Sequence, residues 1–261
     1  GVAVEARDWP GALDLARRLI TEFPADGAAD DALERVGSAA AAVPAWPVVY
    51  EAYALLARTH PASPFARAAR LTLAEAQVET GRAEAAKPAL EQLVAAAPDG
   101  PEAPRAWAML ARAREATGDR PGALEAYARA AKDGTALRPA AAFGYGRLLV
   151  DDKRWSEARA LFERLLRSDD PRLAVDAAYA LGDAWQREGD QLAAAEYFLT
   201  AAYLAPDSRA GRRALLAAAW SFLALKQTDA AVMLYRKLLA QANVPAELAD
   251  AARKGLKELG R

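Results

Sequence analysis

The chain is poor in groups that could drive a reaction. His60 is its single histidine and stands before Pro61 with no Asp or Ser constellation around it. A nucleophile, base and orienter triad or a His-ligated metal would need such partners, so His60 reads as a surface loop residue. Gly144-Tyr145-Gly146 has the look of a phosphate-cradling loop but lies mid-helix, without a preceding strand or a Gly-Lys-Ser/Thr ending, and reads as packing. Asp151-Asp152 and Asp169-Asp170 could in principle form a glycosidase pair or a calcium site. They sit beside Lys153, Arg154, Arg167 and Arg172 at predicted helix ends, where turns and caps collect acids. An enzyme built on Asp183 or Glu75 would need two convergent titratable groups in a dry pocket. No catalytic residue, cofactor or metal is expected.

The elements that would carry these residues are helices in a recurring frame. Leu181, Gly182, Trp185, Gly189, Ala194, Phe198, Ala201 and Pro206 form its fullest instance. Trp107, Leu110, Ala111, Gly118, Ala123, Tyr127 and Ala130 repeat it, as do Tyr145, Gly146, Leu149, Trp155, Ala158, Phe162 and Leu165. Pro24, Pro61 and Pro98 are 37 residues apart and Pro206 lies 108 further on, three periods of 36. Between these prolines each period reads as two amphipathic stretches broken by a Gly, Asp or Pro turn. Gly37, Gly146 and Gly182, with Ala74, Ala111 and Ala219, occupy the place where paired helices come closest. A larger side chain there would overpack by about 1–3 kcal/mol. Ala86, Ala123, Ala158, Ala194 and Ala231 match them on the second helix, and Tyr53, Tyr127, Phe162, Phe198 and Tyr235 fill the space between units.

This pattern resembles the tetratricopeptide repeat over almost the whole chain, and its specificity comes from six matches in register. The resemblance implies an all-α, right-handed α-solenoid of helix-turn-helix repeats. The expected organisation is one array over 1–261: a partial repeat at 1–24, full repeats at about 28–61, 64–98, 101–135, 138–170, 172–206 and 209–243, and a polar-backed capping helix at 246–260. The phase makes residues 1–7 the tail of a first helix, as in a piece of a longer protein or a maturation product. The period exceeds the common one of roughly 34, and with Pro61-Ala62-Ser63-Pro64 before a helix it is similar to repeats of bacterial cell-envelope proteins that assist outer-membrane assembly. Ser63 and Pro64 predict a helix start near residue 64. Pro88 should bend or open a second helix.

In that family the first helices line a concave groove, and its residues here can be read by spacing. The first two full units give Asp31, Glu34, Glu75 and Glu79. Arg105 and Arg112 follow, then Phe143, Arg147 and Val150, then Asp176, Tyr179 and Asp183, and last Arg213, Leu216, Trp220 and Leu223. Trp9, Trp46 and Trp155 start second helices, and Trp107 and Trp185 take core positions of first helices, so these five read as packing. Residues 210–225 are apolar nearly all round. Either the capping helix covers that segment, or a second copy does through the sixth repeat, or Leu216, Trp220 and Leu223 form an exposed anchor for a ligand. The Lys and Asn carboxylate clamp of chaperone-binding members is not matched.

The groove thus points to a non-catalytic adaptor that takes a protein or peptide segment, with Arg105, Arg112 and Arg147 selecting acidic residues. A structural spacer in a larger envelope or polymer-export machine is the other reading. Lys and Arg number 34 against 35 Asp and Glu, so no long-range field favours nucleic acid. No apolar run approaches the roughly 18 residues of a membrane span. The absence of cysteine fits an oxidising periplasm or envelope better than the cytoplasm.

Overall fold

A computed structural model describes residues 2–22, 28–132 and 137–261. All its regular elements are helices, sixteen among the described residues, with no strand. Pro24, and with it the end of the partial repeat, falls outside the described residues, as does the end of the repeat that begins at 101. Internal contacts divide the chain into Gly1–Leu137 and Arg138–Arg261.

The first unit holds α1 (Val2–Glu5), α2 (Trp9–Glu22), α3 (Ala28–Ala42), α4 (Trp46–Thr59), α5 (Pro64–Ala68), α6 (Arg70–Glu79), α7 (Ala83–Ala96), α8 (Ala103–Ala116) and α9 (Arg120–Ala130). The second holds α10 (Pro139–Asp151), α11 (Trp155–Leu166), α12 (Pro171–Glu188), α13 (Gln191–Leu204), α14 (Arg209–Ala224), α15 (Thr228–Leu239) and α16 (Ala246–Glu258). Within each unit, consecutive helices pack on one another in chain order. First and second helices therefore alternate, each pair burying its apolar stripes against the next.

The turn inside each pair needs one residue in the left-handed region. Gly81, Gly118 and Gly189 supply it at φ 78°, 83° and 104°, a conformation that costs glycine nothing. Lys153 and Lys226 hold the same turn at φ 60° and 61°. Acidic and hydroxyl side chains then cap several following helices: Asp119 accepts from the Gly122 amide at 3.0 Å, Asp190 from Ala193 at 3.0 Å and Ser208 from Gly211 at 2.9 Å. Ser63 accepts from the Phe65 amide at 3.2 Å while its hydroxyl donates to Asp30 at 2.8 Å.

Glycine and ring meet inside each pair. A Cβ on Gly37 would lie 2.4 Å from the Tyr53 ring, on Gly146 2.4 Å from Phe162, and on Gly182 2.6 Å from Phe198. In every case the ring sits sixteen residues beyond the glycine. The aromatic thus lies over the small residue of its own pair as well as facing the neighbouring unit. Tyr127, Phe162, Phe198 and Tyr235 are fully buried, each worth about 1.5–3 kcal/mol over an exposed ring. Gly255 of α16 extends the device, because a Cβ there would meet Tyr235 at 2.6 Å; the buried face of α16, with Leu248, Ala249 and Ala252, continues the core of the second unit.

Pro88 lies inside α7, which continues past it, and an interruption that the sequence did not announce falls in the first helix of that pair, where Ala69 separates α5 from α6. One local expectation is corrected. Trp107 and Trp185 are half-buried rather than at the centre of the core, Trp185 packing against its edge. Each lies under a guanidinium, Arg129 at 5.0 Å from the Trp107 ring and Arg159 at 3.7 Å from Trp185, which shields one face of the indole.

Candidate functional site

The first helices position the groove residues, and the two units differ in what they present. In the first unit the acids and arginines expected as successive charged stretches are joined to one another. Arg105 on α8 donates from Nε to Glu75 Oε2 of α6 at 3.0 Å, with a second, shorter contact from Nη2, and reaches Thr72 Oγ1 at 3.4 Å. Arg112 donates from Nη2 to Glu79 Oε2 at 3.1 Å and from Nη1 to Oε1. The hydrogen bond to Glu79 holds the Arg112 guanidinium above its ordinary range, with burial opposing it. Glu75 is buried, its side chain 2% exposed, against 33% for Arg105. Arg105 and Arg112 are therefore corrected from free selectors of an acidic ligand to cross-repeat ties. The signal for this was present: opposite charges 30 and 33 residues apart, close to one period, on one helix face.

In the second unit α10, α12 and α14 carry the expected residues. Phe143 is half-buried, its ring 6.0 Å from Phe162, and Arg147 is exposed. Tyr179 lies 5.2 Å from the Phe198 ring, and the Arg213 guanidinium stands 5.0 Å above Tyr179. Asp183 accepts from Arg187 at 3.0 Å, and Arg187 also donates to Asp151 of α10 at 2.9 Å. Val150 is buried.

The expected apolar anchor is narrower than the spacing implied. Leu216 is 4% exposed and belongs to the core between α13, α14 and α15, so it offers nothing to a ligand. Leu223 is half-buried against the same core. Trp220 is 49% exposed, seven residues on from Arg213 and on the same face. Leu215 is also buried, so the chain itself covers most of the α14 surface. Burial pushes the Tyr235 phenol up, Glu258 adds to this, and a hydrogen bond from Trp220 opposes it. The Arg213 stack on Tyr179 has no sequence motif, since it joins residues 34 apart on separate helices.

His60 contacts Thr59 Oγ1 through Nδ1 at 2.8 Å. Among the described residues no group of three or more His, Asp or Glu is arranged to hold a metal, and no helix is long and apolar enough to cross a membrane.

Comparison with known proteins agrees with this geometry. A tetratricopeptide repeat family model matches residues 71–142, 108–171 and 145–209, and a second matches 213–242. A search of curated sequences finds no significant match. Among solved structures, the C-terminal part of a TPR repeat-containing protein from Cytophaga hutchinsonii superposes with a TM-score of 0.68 at 12% identity, covering 96% of both chains. The Cut9–Hcn1 hetero-tetramer of the APC/C gives 0.59 at 15% identity over 97% of this chain and 47% of that one, so the chain spans about half of that neighbour. MamA from Desulfovibrio magneticus gives 0.55 at 16% identity over 70% of this chain and 94% of that one. At such identities these likenesses speak for the fold alone. The paired helices, the glycine and ring contacts at constant offset, and family matches that together span more than half of the sequence agree: the chain belongs to the tetratricopeptide repeat family.

Proposed function

We propose that the chain is a protein-interaction scaffold whose C-terminal unit binds a segment of another protein along the first-helix face of α12 and α14. Family membership supports the scaffold in general. The observation that carries the finer reading is Trp220, a large aromatic left half-exposed on a helix whose other bulky apolar residues are buried or half-buried against the core. Tyrosine, tryptophan and arginine are the side chains that concentrate binding energy at interfaces, and Tyr179 and Arg213 lie on the neighbouring turns of that face. Exposed Asp176 and Arg147 give it both signs of charge, which fixes the direction of a bound segment more than its affinity. The first unit takes the structural role in this reading, because Glu75, Glu79, Arg105 and Arg112 are spent on holding one repeat to the next. That pairing is also what favours the second reading, a spacer within a larger assembly such as one of the bacterial envelope.

The test is a displayed peptide library panned on the 261-residue chain, followed by hydrogen exchange with the selected peptide bound. The proposal expects added protection over 171–188 and 209–224. Protection confined to the second helices 191–204 and 228–239, or no enrichment, overturns it.

A further inference from the structure

Two half-repeats stand without their mates, and they are of opposite kind. Arg7, at φ 56° close to the 60° and 61° of Lys153 and Lys226, turns the chain into α2, which is thus the second helix of a pair for which α1 supplies one turn. α16 follows the second helix α15 and sets Gly255 on the Tyr235 ring, so it is a first helix, and no second helix of its own packs on it among the described residues. Where a first helix would lie beside α2 there is an open groove of about 370 Å³ between α1, α2 and α3. Its wall is apolar. Leu15 is 54% exposed and Leu19 is half-buried, although the counterparts of Leu19 in complete pairs, Leu56 and Leu238, are fully buried. In those pairs the place holds a first helix.

We propose that α16 of a second copy fills this groove, so that copies associate head to tail. Size, charge and length all favour this occupant. In each complete pair the first helix carries Gly or Ala sixteen residues before a bulkier residue of the second, from Gly37 and Tyr53 to Ala219 and Tyr235. One period beyond Ala219 stands Leu256, and one period before Tyr53 stands Ala16, 37 residues in each case. The bulk has changed sides, so the half-buried Leu256 fits over Ala16 on the groove floor at the volume of an ordinary pair. Asp31 precedes Gly37 by six residues as Arg105 precedes Ala111, and Lys257 follows Leu256 as Glu75 follows Ala74. The register that sets Leu256 on Ala16 therefore brings Lys257 to Asp31 in the place of the Glu75–Arg105 tie, with its polarity reversed. Asp31 and Lys257 are both exposed, and neither takes part in an ion pair among the described residues. In the same register the end of α16 at Glu258 abuts the start of α1 at Val2, so the two helices follow one another along α2 instead of competing for it. The contact is heterologous, joining unlike surfaces of successive copies. It uses neither Trp220 nor the α12 and α14 face and does not rest on that reading.

Sedimentation of the whole chain over a concentration series tests the proposal, and the wild type should assemble reversibly as concentration rises. Asp31→Lys and Lys257→Asp each set like charges together across the contact and should weaken assembly about tenfold. The chain carrying both restores the attraction and should assemble as the wild type does. Leu15→Glu, at an exposed site lining the groove, should weaken assembly at least about tenfold while circular dichroism shows the chain still folded, and Trp220→Ala should leave assembly unchanged. Because the chain has no cysteine, Asp31→Cys and Lys257→Cys chains can be mixed and treated with a short bis-maleimide; the mixed dimer should exceed both symmetric ones. A chain monomeric up to about 1 mM, as a groove kept for another protein's helix would leave it, a double reversal no better than the single ones, or equal cross-linking of all pairs would overturn it.

Discussion

Breaking the Glu75–Arg105 tie from its two ends should give unequal losses. The two partners share a hydrogen-bonded pair, but the Glu75 side chain is 2% exposed and that of Arg105 33%. Arg105→Met leaves the carboxylate without its arginine where water has little access. Fully stranding a buried charge costs about 3–5 kcal/mol; the partial opening at Arg105 and the nearby Arg112 charge lower this to about 2–3 kcal/mol. Glu75→Gln leaves a guanidinium that can turn toward solvent, and the amide oxygen still accepts a hydrogen bond, so the loss should be about 1 kcal/mol. In the double variant neither group is stranded, and the loss should fall short of the sum by about 1–2 kcal/mol. Urea unfolding followed by circular dichroism measures all four proteins, with transitions fitted separately if repeats unfold in steps. A Glu75→Gln variant as damaged as Arg105→Met, or losses additive within about 0.3–0.5 kcal/mol, would refute the claim that burial of the acid makes this contact matter.

Other consequences follow from the packing. Gly182→Ala should destabilise by about 1–2 kcal/mol although alanine is the better helix former, because the new Cβ meets the buried Phe198 ring at 2.6 Å; a neutral or raised melting temperature would contradict the close approach. Lys153→Gly should stabilise by about 0.5–1 kcal/mol, since φ 60° suits glycine, and calorimetry would show it as a higher melting temperature. The Tyr53 phenol is pushed up from 10.0 to about 12, chiefly by burial with Glu34 adding to it. The unfolded chain thus ionises this tyrosine first, so the stability it contributes is whole below about pH 10 and is lost as pH rises to about 12. Tyr53→Phe should flatten that part of the stability profile, and an unchanged profile would count against it.

The all-α pairing was legible because its signals are local and repeated: small residues at fixed places, rings sixteen positions on, glycines at turns. Ser63 and Pro64 marked a helix start that the structure places at Pro64. Lys153 and Lys226 escaped, since nothing about lysine announces a positive φ. Ala69 escaped for a similar reason, being a good helix former at an interruption. The site was less legible than the fold. A helical spacing says which residues share a face but not how far the next helix covers it, and so Leu216 read as exposed although α13 and α15 bury it. Arg105 and Arg112 look like free charges in the sequence because their partners Glu75 and Glu79 lie about one period away on another helix, where no local spacing joins them.

The account's functional claim reduces to one side chain. A peptide selected on the whole chain should bind Trp220→Ala about 30-fold or more weakly by calorimetry, a loss of about 2 kcal/mol, while circular dichroism shows the helical array still folded at the temperature of the assay. Equal affinity for the two proteins would contradict the assignment of the α12 and α14 face as the place where a partner is held.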